Sequence, residues 1–204
     1  MTAVALAPAP RVLDPARTAF APVPLALDPA RTALVLVDLM DRMVALPLAP
    51  HKGSDVLAVA EHLADAFRAA GAPVVLVRVE RPGIAKQPPG SGLVPGLLHD
   101  GDIEVVKRTI GGFQGTGLDE QLRRRGVTTL VFGGIATNLG VESTARAAAD
   151  LGYDLVLVED AMAALIGAEH EASVRFDFPR LGTVVRSDAV RFASASAPDG
   201  YSTD

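Results

Sequence analysis

The most constraining stretch of this sequence is residues 126–161, where a strand, a glycine turn, a helix and a second strand follow one another. Residues 127–132 form an apolar run of strand length, rich in β-branched side chains, and Gly133 and Gly134 interrupt it. Residues 155–158 predict the second strand. Between the two strands, apolar residues recur at helical spacing, at Val141, Ala145, Ala148 and Leu151. Such a βαβ unit predicts a mostly parallel sheet.

The glycine turn inside this unit is the expected functional site. A strand that ends in a turn and opens a helix directs free backbone N–H groups towards one point. That point favours an anion or a developing oxyanion. Asn138 has the residue type that caps helix N-termini, and Gly152 stands where a C-terminal cap is expected.

The rest of the chain repeats the alternation of strands and helices, with no change of composition that would mark a second domain. Further strands are predicted at residues 33–37, 73–79, 103–106 and 182–186. Further helices are predicted at residues 55–70, with Ser54 as a candidate N-cap, and at residues 118–125 and 169–176. The pattern predicts an α/β fold, a three-layer α/β/α sandwich, formed by residues 31–192.

Three segments differ from this regular pattern. Residues 1–30 contain six prolines, which disfavour a regular helix, and the heptapeptide LDPARTA occurs at residues 13–19 and again at 27–33. We expect a Pro-rich arm or tail there, and a loose tail at residues 193–204. Residues 81–101 are rich in Gly and Pro and predict a long loop that serves as a lid or a substrate wall.

Composition excludes several classes of function. The 204 residues include no cysteine, which rules out disulfides, thiolate metal sites and thiol nucleophiles. The net charge of −5 gives no reason to expect a nucleic-acid partner. No apolar run approaches the ~18 residues that span a membrane, and the N-terminus lacks the basic region of a signal peptide. A cytoplasmic protein that binds a small molecule is the expectation.

Two charged residues stand at predicted strand ends, as the glycine turn does. Asp38 follows the run ALVLV, and Lys107 follows the strand at residues 103–106. Ligands of open α/β sheets bind beyond the carboxyl ends of the strands, so the fold can bring these distant positions together. Asp38 is a candidate general acid or base, or else an N-cap or ion-pair partner. Lys107 would hold its charge or bind a substrate carboxylate, or else be a surface lysine, with Arg108 as the alternative cation.

The segments ALVLVD, VVKRTIGGFQGTG and GIATNLGVESTARAA resemble the isochorismatase-like cysteine hydrolases, in the same order and over residues 30–190. The resemblance implies a six-stranded, mostly parallel sheet with helices on both sides. It also implies a homodimer or homotetramer. In that family an Asp, a Lys and a Cys are catalytic. The Asp matches Asp38, the Lys matches Lys107, and the Cys position is Gly140.

Glycine at position 140 changes the chemistry that the resemblance implies. Without a side chain there, no thioester or acyl-enzyme can form. The resemblance further implies a cis peptide between Ile135 and Ala136, which would turn the N–H of Ala136 towards the pocket beside that of Gly140. The substrate-binding residues implied are Ile135, Ala136, Thr137, Asn138 and Phe113.

We expect neither a metal nor another cofactor. The histidines are His51, His62, His99 and His170, and none forms a metal-binding motif with Asp38. The segment GGIATNLG lacks the spacing of a dinucleotide-binding loop.

Three hypotheses remain open from the sequence. The first is a hydrolase that cleaves a vinyl ether of an isochorismate-like, carboxylated compound, with Asp38 as the acid. The second is an amide or ester hydrolase in which Asp38 activates water. The third is a non-catalytic protein that binds a small molecule.

Overall fold

The computed structural model describes residues 25–193 and is built on a central sheet of six strands. The strands of the chain are β1 (Leu25–Leu27), β2 (Thr32–Val37), β3 (Val74–Val79), β4 (Ile103–Lys107), β5 (Thr129–Ile135), β6 (Asp154–Ala163), β7 (Thr183–Val185) and β8 (Val190–Phe192). The helices are α1 (Asp41–Val44), α2 (Gly53–Ala69), α3 (Leu118–Arg124), α4 (Glu142–Asp150), α5 (Gly167–Ala172) and α6 (Phe178–Leu181). Two π-helical turns, Thr137–Val141 and Ser173–Asp177, precede α4 and α6.

The central sheet has the strand order β4–β3–β2–β5–β6–β7, and every neighbouring pair is parallel. All six residues of β2 are buried, as expected for a strand with helices on both faces. Leu34 and Leu36 pack on one face with Leu63 and Phe67 of α2. Alternate residues of β2 pack on the other face with α3 and α4. The predicted three-layer sandwich with a six-stranded parallel sheet is therefore confirmed.

Several predicted boundaries are wrong, and each error has a local cause. Strand β5 begins at Thr129 and continues through both glycines to Ile135, because the parallel ladder with β2 supports the glycine backbone. Strand β6 extends to Ala163, past a register shift opposite Gly134. Asn138 does not cap a helix, since it lies inside the first π-helical turn. Helix α2 begins at Gly53, one residue before the predicted cap. The hydroxyl of Ser54 donates a hydrogen bond to the carboxylate of Asp55 and does not cap the helix.

A second, two-stranded sheet joins the two ends of the described chain. Strand β1 pairs in parallel with β8, with Leu25 opposite Val190 and Leu27 opposite Phe192. The ring of Phe192 packs edge-on against Phe67 of α2, with ring centroids 4.8 Å apart. The sequence did not predict this sheet, because β1 lies within the segment expected to be an arm. The first LDPARTA copy, the rest of the arm up to residue 24, and residues 194–204 of the tail lie outside the described residues.

Within residues 25–193, no helix combines the length and the apolar character needed to cross a membrane.

Candidate active site

Asp38 lies immediately after β2, at the carboxyl edge of the sheet. Its φ of 54° places it in the left-handed region, which is uncommon for a residue other than glycine. Its N–H donates to the carbonyl oxygen of Val77 at 2.7 Å, so the neighbouring strand β3 fixes this backbone. Only 6 % of the residue is exposed. A charged residue held in such a conformation at a strand end indicates a functional position.

Lys107 is the last residue of β4 and forms a buried ion pair with Asp38. Its Nζ lies 2.8 Å from Oδ2 of Asp38 and donates to the carbonyl oxygen of Ile110 at 2.7 Å. Strand β3 lies between β4 and β2, so the long lysine side chain reaches past its end. Lys107 is only 1 % exposed, which leaves Asp38 and Ile110 to satisfy its ammonium group.

The carboxyl of Asp38 holds its proton to a higher pH than a free aspartate does. Burial raises its pKa above the ordinary 3.8, while the charges of Lys107 and Arg42 act in the opposite direction. Oδ2 is bound to Lys107, whereas Oδ1 is buried without a hydrogen-bond partner among residues 25–193. Lys107 therefore orients the carboxyl and leaves one oxygen available to a bound molecule.

The glycine turn after β5 brings the third element to this edge. A Cβ on Gly134, whose φ is 127°, would lie 2.1 Å from the carbonyl oxygen of Val37, so only glycine fits beside the end of β2. The peptide between Ile135 and Ala136 is cis, as the resemblance implied. The turn then enters the π-helical segment Thr137–Val141, which carries Gly140.

Gly140 faces the ion pair directly. A Cβ on this residue would lie 2.9 Å from Oδ2 of Asp38, 3.1 Å from Nζ of Lys107 and 3.2 Å from Cγ1 of Val37. The structure therefore brings together Asp38, Lys107 and Gly140, which are far apart in the sequence. A side chain at position 140 would touch both charged groups.

Arg42 is a residue of this site that the sequence did not reveal. It lies in the short helix α1. Its charge favours the ionised Asp38 carboxyl and so partly offsets the increase in pKa that burial causes. Its Nε is buried and has no hydrogen-bond partner in the described part of the chain. Its backbone N–H donates to Gly90 at 3.1 Å, which ties α1 to the loop of residues 81–101. The only signal in the sequence is its position four residues after Asp38.

The predicted binding residues Thr137 and Asn138 have different surroundings. Thr137 is fully buried, and its Oγ1 lies 2.8 Å from Nδ1 of His170. Asn138 is half-buried, and its Oδ1 has no partner among the described residues. The amide oxygen can accept a hydrogen bond, and substrate binding by Asn138 stays a prediction.

Phe113 is the aromatic residue predicted to bind substrate, and it is half-buried. It packs against Tyr153, with ring centroids 6.1 Å apart. It lines a cavity of about 680 Å³ together with Ile110 and Ser143, and the lining includes neither Asp38 nor Gly140. Ile110, whose carbonyl oxygen accepts the hydrogen bond of Lys107, lines the same cavity, and the role of Phe113 in substrate binding stays a prediction.

A cluster of His51, Glu159 and His170 was missed by the sequence. One ligand atom from each side chain lies within 4.8 Å of the other two, and all three are at least half-buried. The three residues come from different segments, and His51 and His170 are more than a hundred positions apart. No short sequence motif therefore contains them. The absence of a metal from the active site stays a prediction.

Comparison with known proteins gives a consistent result. The family model described as an isochorismatase domain matches residues 32–189. The uncharacterized isochorismatase family protein YecD of Escherichia coli O157:H7 is 42 % identical over 168 residues, which are 74 % of this chain and 89 % of YecD. The ureidoacrylate amidohydrolase RutB of Variovorax paradoxus is 53 % identical over 68 residues, which are 33 % of this chain and 27 % of RutB.

Two solved structures resemble the fold along most of its length. An isochorismatase family protein from Burkholderia thailandensis has a TM-score of 0.72 and 37 % identity, covering 82 % of this chain and 96 % of its own. The N-carbamoylsarcosine amidase from Thermoplasma acidophilum has a TM-score of 0.68 and 30 % identity, covering 78 % of this chain and 97 % of its own.

Proposed function

The chain belongs to the isochorismatase family of hydrolases, and we propose that it hydrolyses a small carboxylated substrate without a covalent enzyme intermediate. Asp38 is the general acid and base, Lys107 orients it, and a water molecule is the nucleophile. The concrete form of the proposal is hydrolysis of a vinyl ether in an isochorismate-like compound.

The observation that carries this proposal is the surroundings of the Asp38 carboxyl. Its Oδ2 is fixed by Lys107 at 2.8 Å, its Oδ1 is buried and unpartnered, and burial raises its pKa. A carboxyl whose pKa is raised keeps its proton to a higher pH than a free aspartate does and is better suited to donate it. Gly140 beside it supplies no nucleophile, so the reaction must use water.

The proposed steps are balanced in atoms and charge. Asp38 gives its proton to the terminal carbon of the vinyl ether, and the adjacent carbon becomes an oxocarbenium ion. The oxygen of water bonds to that carbon, and the water proton returns to the Asp38 carboxylate. The resulting hemiketal transfers a proton to its ether oxygen, and the carbon–oxygen bond breaks. The products are a ketone, pyruvate for an enolpyruvyl ether, and an alcohol.

Arg42 supports a carboxylated substrate. Its Nε is buried and unpartnered, and the guanidinium is close enough to influence Asp38 electrostatically. A planar guanidinium binds a carboxylate through two parallel hydrogen bonds. Placed beside Asp38, Arg42 would fix the substrate by its acid group and hold the ether near the proton donor.

Replacing Asp38 with Asn tests the acid. Asn keeps the shape and tolerates the left-handed backbone, but it cannot transfer the proton. We expect kcat/KM to fall by about a thousandfold or more, the scale of general acid–base catalysis. Release of pyruvate from isochorismate is the assay, and Asp55→Asn, an exposed residue of α2, is the matched control. Unchanged turnover in Asp38→Asn would remove Asp38 from the mechanism.

Replacing Arg42 with Gln tests carboxylate binding separately. Loss of an interaction made equally in the ground and transition states raises KM and leaves kcat nearly unchanged. We expect KM to rise by about tenfold or more, since a charge-assisted hydrogen bond contributes about 1.5–3 kcal/mol. Arg81→Gln, an exposed residue of the long loop, is the control. Equal KM values for Arg42→Gln and wild type would refute this role.

A second candidate is an amide hydrolase, which the resemblance to RutB and to N-carbamoylsarcosine amidase favours. In this case ionised Asp38 removes a proton from water as its oxygen bonds to the carbonyl carbon, and then returns it to the leaving nitrogen. Ureido and carbamoyl compounds would release ammonia, whereas isochorismate would be inert.

The pH profile separates the two reactions. With Asp38 as the acid, kcat/KM falls as pH rises through its raised pKa; with Asp38 as the base, it falls as pH decreases through that pKa. A chain that binds these compounds and converts none of them would be the non-catalytic member that the sequence left open.

A further inference from the structure

We propose that His51, Glu159 and His170 form a binding site for a divalent transition-metal ion, with Zn²⁺ as the first candidate. This set is separate from the residues that act in the proposed hydrolysis. Two imidazoles and one carboxylate are a recurrent protein ligand set for Zn²⁺, Fe²⁺ and Co²⁺, whereas Mg²⁺ and Ca²⁺ prefer oxygen ligands alone.

The distances are those of side chains arranged around a shared point. Nε2 of His51 lies 3.8 Å from Oε2 of Glu159, and Nε2 of His170 lies 3.9 Å from the same oxygen. Both separations exceed the range of about 2.7–3.2 Å of a direct hydrogen bond. Ligands at about 2.0–2.2 Å from a tetrahedral Zn²⁺ stand roughly 3.3–3.6 Å apart, so each imidazole needs to approach Oε2 of Glu159 by about half an ångström. The two imidazole nitrogens, which lie within 4.8 Å of each other, would have to close to the same separation.

The polar atoms of this cluster have few other hydrogen-bond partners. Nε2 of His51 is buried and has no hydrogen-bond partner in the part of the chain that the structure describes. Glu159 turns its other oxygen, Oε1, to Arg186 at 2.8 Å, which leaves Oε2 for the two imidazoles. A buried imidazole nitrogen without a partner is costly, and a bound cation would satisfy it.

The supporting contacts hold the ligands in place. Nδ1 of His170 lies 2.8 Å from Oγ1 of Thr137, and when this nitrogen donates its proton to the hydroxyl, Nε2 carries the free lone pair that a metal needs. His51 follows a two-way backbone bridge between Ala49 and Ala164, with both N···O distances at 2.9 Å. This bridge fixes the loop of His51 beside the end of β6, the strand that carries Glu159.

The set has three protein ligands, so a tetrahedral ion would keep one position for water or another small ligand. The hydrogen bond of His170 to Thr137 connects the metal site to the π-helical turn that carries Gly140. Metal binding would therefore stabilise that turn in its folded position.

The test is calorimetric titration of Zn²⁺ into the full chain, without a histidine tag and after removal of metals with EDTA. We expect one ion per chain. His51→Ala and Glu159→Gln should each weaken binding by more than tenfold, and Thr137→Val by about tenfold, as for other partners of metal-bound histidines. His62→Ala, which changes an exposed histidine of α2, should bind like wild type.

Circular dichroism of each variant confirms that it is folded before titration, and Co²⁺ absorption gives an independent measurement of the ligand set. A tetrahedral Co²⁺ spectrum in wild type and in Asp38→Asn, lost in His51→Ala, would support the site. The proposal is wrong if wild type binds no Zn²⁺, or if His51→Ala binds it as tightly as His62→Ala does. Asp38→Asn should bind Zn²⁺ normally even if the proposed hydrolysis is refuted, so the two proposals fail independently.

Discussion

At position 140 the identity of one residue decides which chemistry the site can perform. The carboxyl of Asp38 and the ammonium of Lys107 converge on Gly140, so a nucleophile placed there would contact an acid–base group and a cation together. Glycine leaves the charged pair intact and removes the nucleophile. The proposed mechanism follows from this arrangement: Asp38 transfers protons, and no covalent intermediate forms at position 140.

Gly140→Cys should create a reactive thiol. The φ of Gly140 is outside the left-handed range, so the backbone accepts a side chain, and the ends of Asp38 and Lys107 need to retreat by a few tenths of an ångström. The ammonium of Lys107 and the start of a helix both favour a thiolate. We expect alkylation by iodoacetamide at pH 7 about tenfold faster than for Gly92→Cys, whose side chain would meet open space. Mass spectrometry measures both rates.

Because the unsubstituted chain has no cysteine, thiol labelling of Gly140→Cys can arise from this position alone. A labelling rate equal to or below that of Gly92→Cys would contradict the view that Lys107 activates position 140.

At the scale of elements, the decisive contact is between the glycine turn of β5 and the end of β2. Gly134 lies against Val37, one residue before Asp38, and this close approach places Gly140 beside the ion pair. The two parallel strands and the turn therefore act as one unit in positioning the site.

Gly134→Ala tests this unit. The added methyl group would lie 2.1 Å from the carbonyl oxygen of Val37 and would force alanine into a φ of 127°. We expect a loss of about 3 kcal/mol or more in the free energy of unfolding, the upper range for overpacking and backbone strain. Urea denaturation measures it, with Gly92→Ala as the control in open space. Equal stability of the two variants would show that the strands tolerate separation at this point.

The elements also show what a sequence can predict and why. The strand pattern placed Asp38, Lys107 and the glycine turn at one edge, because the carboxyl ends of parallel strands share that edge. The resemblance to the isochorismatase-like hydrolases was needed to single out Gly140 within the turn. Arg42 and the set of His51, Glu159 and His170 depend on how α1 and the loops fold over that edge. The interiors of the strands could be predicted because they coincide with hydrophobic runs in the sequence. The predicted caps at Ser54 and Asn138 failed because backbone contacts, instead of local side-chain bonds, set those helix starts.

At the scale of the whole molecule, the ion pair links the site to the stability of the fold. The homodimer or homotetramer that the resemblance implies stays a prediction; Ile110, Ile166 and Phe176 each expose more than half of their surface and offer apolar area for such contacts.

The stability of the wild type relative to Asp38→Asn should decrease as pH rises above about 4. The pKa of Asp38 is raised in the folded protein from its ordinary 3.8, so between these two values the native state retains a proton that the unfolded chain releases. The stabilisation from protonated Asp38 is complete below the pKa that Asp38 has in the unfolded chain. It is lost as pH rises through the higher pKa that Asp38 has in the folded protein. Urea denaturation of both proteins from pH 4 to 8 measures the difference. An increase with pH would show that Lys107 outweighs burial.

The pairing of β1 with β8 determines how the molecule would respond to mechanical load. The two strands are parallel and lie at opposite ends of the described chain, so tension applied through both ends pulls them lengthwise past each other. In that direction the hydrogen bonds of the ladder are strained simultaneously and do not open one by one. The small sheet would thus resist stretching until β1 and β8 separate. The central sheet and its charged pair would bear the force only after that separation.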